Sequence, residues 1–300
     1  MNGVIVIDKP QGFTSFDVIA VVRRLTRQRK TGHTGTLDPN APGVLPVLLG
    51  SATKAQDLIV NHDKTYVADF RLGLTTDTLD IWGEVKTACE SHVKKDAVER
   101  LLPQFTGEIE QIPPMFSAVQ KNGVRLYDLA RKGVEVERDA RRVTVYRLEL
   151  RAFDEETQTG VLAIACSKGT YVRTLIDDMG AALGVGAVMT ALRRTEACGY
   201  TLADCVTLEE LQTLCESGAI AQKIRPTESL FVSYEAVSVS AAQAKRFQNG
   251  AALDVARTAL KNRALPNGTK LRVKNPSGDF LGLGIIADGL IKIDKLFAIQ

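Results

Sequence analysis

Residues 32–50 read GHTGTLDPNAPGVLPVLLG. Up to Gly43 the stretch is dense in Gly, Thr, Asp, Asn and Pro, so residues 31–43 are expected to form a loop. Gly32 and Gly35 let the backbone approach a ligand closely, and Pro39 holds Asp38 out of the α region. On residue chemistry alone Asp38 reads as a turn-former and His33 as a loop histidine without a role; a reactive carboxylate is the alternative. The apolar run 44–49 contains Pro46 and falls far short of the ~18 residues that a membrane span needs.

On the N-terminal side, the β-branched residues 3–7 (GVIVI) read as a strand closed by Asp8-Lys9-Pro10. Thr14 and Asp17 form a capping-box pattern for a helix whose buried face is Val18, Val22 and Leu25. Its end is basic (Arg23, Arg24, Arg27, Arg29, Lys30), which suits the helix dipole as well as it suits RNA. On the C-terminal side, 64–72 and 161–167 read as strands and 94–102 as a helix. A further helix, 174–184, has Leu175, Met179, Ala182 and Leu183 on its inner face. Thr207 and Glu210 cap one more. Residues 111–142 carry seven Lys or Arg against four acids among few bulky apolar groups, and read as an exposed, partly mobile insertion. From about 230 the segments are short. Ser240 caps a helix ending at Gly250, and Asp288-Gly289 marks a tight hairpin between strands 280–287 and 290–296. Two domains are expected: 1–229, and a small β-rich tail at 230–300.

The 300 residues carry 38 Lys or Arg against 35 Asp or Glu, with 45% hydrophobic and 24% charged residues. That composition excludes disorder, collagen and a stapled miniprotein. The charge is uneven: residues 230–300 hold ten Lys or Arg and five acids, which points to an acidic partner such as nucleic acid or to a well-solvated surface. Five cysteines without a C-x-x-C, and three dispersed histidines, predict a reducing cytosol and no structural metal. The N-terminus has no signal-peptide pattern, so a cytoplasmic location without membrane attachment is expected.

The segment GHTGTLDPNAPGVLPVLLG closely resembles the signature of the TruB family of tRNA pseudouridine-55 synthases. Other stretches resemble that family in the same order: Asp8-Lys9-Pro10 with Gly12, Asp63-Lys64-Thr65-Tyr66, Thr76-Asp77-Thr78-Leu79-Asp80, and Pro113 to Ala118 with Arg125-Leu126-Tyr127. Gly169-Thr170-Tyr171-Val172-Arg173 and Leu192-Arg193-Arg194 complete the series. The tail resembles a PUA-type RNA-binding domain. The implied fold is α/β (α+β): a central mixed, mainly antiparallel sheet with flanking helices and the site in a cleft across it, plus the small β-rich domain.

The implied activity is isomerisation of the T-loop uridine at tRNA position 55: the base is detached, turned and rejoined through C5. No atom is lost, so no cofactor is required. The resemblance implies Asp38 as the nucleophile, at C1′ or C6, or as a stabiliser of charge at C1′. Arg173 would hold it ionised, gripping the carboxylate bidentately. Tyr66 would stack on the base and could take the C5 proton. Tyr171 and Leu192 would line the pocket. His33 would fill the space left by the flipped uridine. Asp77 and Asp80 would shape the nucleotide pocket, and Lys9 would support its wall more than touch uracil. The insertion and the tail would clamp the tRNA T-arm, with the chain a monomer and a tRNA-folding chaperone role compatible with the same surfaces. Three other readings stand beside this one: a non-catalytic RNA binder, a hydrolase using paired carboxylates, and a guide-dependent synthase. An intact Asp38, Tyr66 and Arg173 set counts against the first. Asp80 is the only second carboxylate available to the hydrolase reading. The insertion and short termini favour a stand-alone enzyme over a guide-dependent one.

Overall fold

The computed structural model describes residues 1–90 and 92–297. The chain runs β1 (Gly3–Lys9), α1 (Ser15–Thr26), β2 (Thr31–His33), β3 (Gly43–Leu49), β4 (Lys64–Leu72), β5 (Leu74–Thr76) and β6 (Val85–Ala88). Next come α2 (Lys95–Leu101), β7 (Gly107–Gln111), β8 (Gln120–Lys121), β9 (Val124–Arg125), α3 (Leu126–Ala130), β10 (Arg141–Asp154) and β11 (Thr159–Cys166). The remainder is α4 (Val172–Ala182), β12 (Ala187–Ala197), β13 (Tyr200–Thr201), α5 (Leu208–Glu216), β14 (Glu235–Ser238), α6 (Ala241–Gln248), β15 (Leu253–Asp254), β16 (Lys270–Lys274), β17 (Phe280–Ala287) and β18 (Leu290–Leu296).

The central sheet is ordered β1-β3-β12-β4-β11-β10-β7, with β2 on β3 and β13 on β12. Its parallel contact is β3 against β12, where Gly43 lies opposite Arg194; the other ladders are antiparallel, as expected for a mixed, mainly antiparallel sheet. Gly43 makes that crossing possible. Its φ is +122°, and a Cβ there would stand 2.1 Å from the Arg194 carbonyl oxygen.

β1 and β3 alternate with the period of a strand buried on both faces. Ile5, Ile7, Leu45 and Val47 pack under α1 and α5 with Val18, Val22 and Leu211. Val4, Val6, Val44 and Leu48 pack the other way, against Leu230, Phe231, Leu283 and Phe297. A third core, from Phe70 and Leu162 to Leu175 and Met179, lies between the sheet and α4. The tail sheet, β14-β16-β17-β18-β15, has its own core around Phe247 and Ile291. It also shares the aromatic layer Phe231, Phe280 and Phe297, with ring centroids 5.5–6.1 Å apart. Residues 298–300 of the expected tail lie outside the described residues.

Local signals were read well. Thr14, Thr207 and Ser240 each cap a helix with the expected capping box. Asp288 and Gly289 both have positive φ, as a type I′ turn requires. Four expectations need correction. Residues 31–33 are a strand, because β3 offers them a partner from His33↔Val47 outward. Ala182 is exposed, since the last turn of α4 runs past the sheet. Leu25 is only partly buried. The segment 111–142 is not wholly an insertion: Gln111 ends β7 and Arg141 begins β10, paired with each other, and Leu126 between them is fully buried.

Pro46 sits inside β3 without cost to the ladder. A residue's N and O point to the same side of a strand, and the Pro46 carbonyl accepts the Thr34 N–H at 3.2 Å. The absent N–H therefore faces the point where the chain leaves β2, and no ladder donor is lost.

Candidate active site

The loop between β2 and β3 is held from below, residue by residue. Ser15, on the first turn of α1, accepts the Leu37 N–H at 2.9 Å and donates to its carbonyl at 3.3 Å. Lys9 is fully buried, and its ammonium donates to the carbonyls of Pro10, Phe13 and Pro39 at 3.1, 2.5 and 3.0 Å. The Gly12 N–H also reaches the Pro39 carbonyl, at 2.9 Å. Asp38 is thus fixed on both sides while its carboxylate stays accessible, with 43% of the side chain exposed. Lys9 supports this wall and does not line the cavities described below. Burial pulls its pKa down to about 8.

Arg173 enters from the first turn of α4, whose start is fixed when Gln111 clamps the Tyr171 backbone at both N–H and carbonyl, at 3.0 and 3.2 Å. Its side chain is 7% exposed. One Nη lies 3.1 Å from Asp38 Oδ2, and the other 3.6 Å from Asp80 Oδ2. The same nitrogens donate to the carbonyls of Thr78 and Phe116, both at 3.0 Å. The expected bidentate grip on Asp38 is therefore replaced by a shared one, because two acids and two carbonyls compete for one guanidinium fork. Asp80 is presented by a strained turn: Leu79 has φ +63°, and the backbone on either side bonds to Met189. Partial burial raises the Asp80 pKa, against the opposing pull of the Thr78 hydroxyl and Arg173.

Tyr66, on β4, is buried, and desolvation pushes its phenol up to about 12. With Asp38, Tyr171, Arg173 and Leu192 it lines a cavity of about 550 Å³. An adjoining space of about 800 Å³ also touches Asp38, Arg173 and Leu192, and Asp80 lines that side. His33 faces this second space, packed edge-on against Phe16 at 5.7 Å. Burial, then the charge of Arg194, lowers the His33 pKa. Phe16 and Trp82 are largely exposed on the rim, with Arg23, Arg125 and Tyr127. Asp38 and Arg173 thus stand where the two spaces meet. Among the described residues no group of three or more His, Cys, Asp or Glu is placed to hold a metal ion, and no helix is long and apolar enough to cross a membrane.

The residue reading missed Ser15, Gln111, Phe16 and Trp82, and placed Arg194 in a motif without giving it a role. Arg194 had a usable signal: two positions from Leu192 on a strand, it must point to the same face. The others act through tertiary contacts that no local pattern announces.

Known proteins are similar to the chain over nearly its whole length. Residues 23–172 match the TruB family pseudouridylate synthase (N terminal domain). Residues 173–232 match the tRNA pseudouridylate synthase B C-terminal domain, and 236–297 the C-terminal domain of pseudouridine synthase II TruB. The tRNA pseudouridine synthase B of Clostridium perfringens is 42% identical over 298 residues, covering 99% of both chains. That of Lactobacillus delbrueckii is 47% identical over 257 residues, covering 83% of this chain and 86% of the relative. Among solved structures, a chain of an H/ACA RNP bound to a substrate RNA containing 2′-deoxyuridine superposes with a TM-score of 0.74 at 25% identity. It covers 99% of this chain and 85% of its own length. A Cbf5-Nop10-Gar1 complex gives 0.74 at 26% identity, with 99% and 84% covered. The chain belongs to the TruB family of pseudouridylate synthases.

Proposed function

We propose that this synthase converts the T-loop uridine at tRNA position 55 to pseudouridine, with Asp38 as nucleophile. The observation that carries the reading is the Asp38–Arg173 ion pair at the meeting point of two cavities, one lined by Tyr66 and the other by His33 and Asp80. A uridine stacked in a folded loop cannot reach Asp38, so it is flipped out at a cost of a few kcal/mol. The smaller cavity takes the base between Tyr66 and Leu192, and His33 fills the gap left behind. Arg173 holds the Asp38 carboxylate in place for attack on C1′ or C6. The glycosidic bond breaks, the base turns, C5 joins C1′ and the bond to Asp38 is released; C5 gives up a proton and the freed N1 gains one, so no atom is lost. With its phenol held protonated, Tyr66 takes that proton only after losing its own, so it serves the resting site as a hydrogen-bond donor and stacking surface.

The tail, assigned to residues 230–300, and the basic segment within 111–142 supply cations to the tRNA backbone. The candidate groups all come from one chain, so a monomer suffices. The identity to relatives named tRNA pseudouridine synthase B supports a stand-alone enzyme over multi-component assemblies such as the RNP in which a structural neighbour was solved. Purified protein, a T-arm hairpin and no guide RNA test this directly. Pseudouridine at the position equivalent to 55 is expected from the parent and none from Asp38→Asn, at equal RNA affinity. Near-parental turnover by Asp38→Asn would remove the nucleophile assignment, and free uracil as product would make the protein a hydrolase.

A further inference from the structure

Arg194, on β12, is the largest side chain in the protein with no exposed surface. A buried cation normally meets a carboxylate. Arg194 makes no ion pair among the described residues. Instead Nε donates to the Val44 carbonyl at 2.7 Å, and the two Nη groups donate to the carbonyls of Thr36 and Gly35 at 3.3 Å. That uses three of a guanidinium's five N–H groups. Two remain, and buried donors seek acceptors. The residue directly across the ladder is Tyr66, whose hydroxyl lies within reach of the guanidinium.

Chemistry then fixes the direction of the Tyr66 proton. Arginine only donates, so towards Arg194 the phenol oxygen can only accept. Its own O–H must point elsewhere, and the open side of Tyr66 is the cavity it lines with Asp38. We propose that Arg194 is a positioning residue: from below the cavity floor it holds the Tyr66 oxygen as an acceptor and turns the phenol proton towards a carbonyl of the flipped pyrimidine. This rests on the isomerase reading above. It also explains why one buried side chain binds both the Asp38 loop, through Gly35 and Thr36, and the base-facing tyrosine: the nucleophile and the donor are set relative to each other by a single rigid group.

The experiment uses the full-length chain. A difluorotyrosine placed at position 66, whose phenol ionises near neutrality in water, is titrated by fluorine NMR in the parent and in R194M. Cys166 and Asp38 also face this phenol and stay unchanged. Loss of the cation and its donors should raise the phenol pKa by about one unit or more; an unchanged value overturns the proposal. R194K keeps the buried charge and guards against a variant that fails to fold. Its single-turnover rate should fall roughly 10- to 100-fold at unchanged RNA affinity, and that loss should largely vanish in a Tyr66→Phe background. An equal loss in that background means that Arg194 acts only through the loop and sinks the idea. A parent protein that makes no pseudouridine refutes the isomerase reading instead, while the titration still judges the contact.

Discussion

Arg173 divides its guanidinium among Asp38, Asp80 and the carbonyls of Thr78 and Phe116. A lysine offers one ammonium and cannot span acceptors on three separate segments. Arg173→Lys should therefore lose at least about 100-fold in single-turnover rate, although the charge is kept; a fully active variant would reduce the network to simple charge. Tyr66 gives a pH test. Its phenol is raised from 10 to about 12 in the folded chain, so between those values the native state keeps a proton that the unfolded state loses. The stability tied to it is complete below pH 10 and falls as pH rises towards 12. Tyr66→Phe should flatten that alkaline fall, read by denaturant unfolding at several pH values in the window, and an identical fall in both proteins would show that the phenol is not held protonated. The motif residues Asp38, Tyr66, Tyr171, Arg173 and Leu192 line one cavity, but the division of Arg173 depends on carbonyls, which carry no side-chain signature.

Among the elements, the crossing of β3 and β12 depends on a missing side chain. Gly43→Ala places a Cβ against the Arg194 backbone at a φ that L-residues rarely adopt. The cost should be roughly 3 kcal/mol or more, with loss of activity, because the loop carrying Asp38 ends at that crossing; a normal melting temperature would contradict it. Elements governed by neighbours in sequence were legible: the capping boxes at Thr14, Thr207 and Ser240 and the turn at Asp288-Gly289 follow from local hydrogen bonds and φ preferences. Elements made by distant partners were not. β2 has loop composition and is a strand because β3 is beside it, and Gln111 and Arg141 join the sheet because they face each other.

For the molecule as a whole, the tail's positive excess is smaller in effect than its composition implies. Arg272 and Lys274 share Glu228, Lys270 meets Asp294, and Arg263 meets Glu235. Lys245, Arg246 and Lys261 are exposed and make no ion pair among the described residues. Replacing these three with Gln should lower the slope of log affinity against log salt by about two to three, with pseudouridine formation at saturating RNA unchanged. An unaltered slope would move the RNA contact off this part of the tail. Removing 230–300 outright is the harsher change, since it strips Leu283 and Phe297 from the face of β1 and β3 and deletes Leu230 and Phe231.

That shared aromatic layer sets an order on synthesis. Val4 and Val6 leave the ribosome long before Phe280 and Phe297, whose rings close over them. β1 can pair with β3 early, but one of its faces stays wet until Phe280 and Phe297 have emerged. Nascent chains stalled before Phe280 should remain open to protease around β1, and chains released after Phe297 should resist. β1 is finished only by residues made long after it.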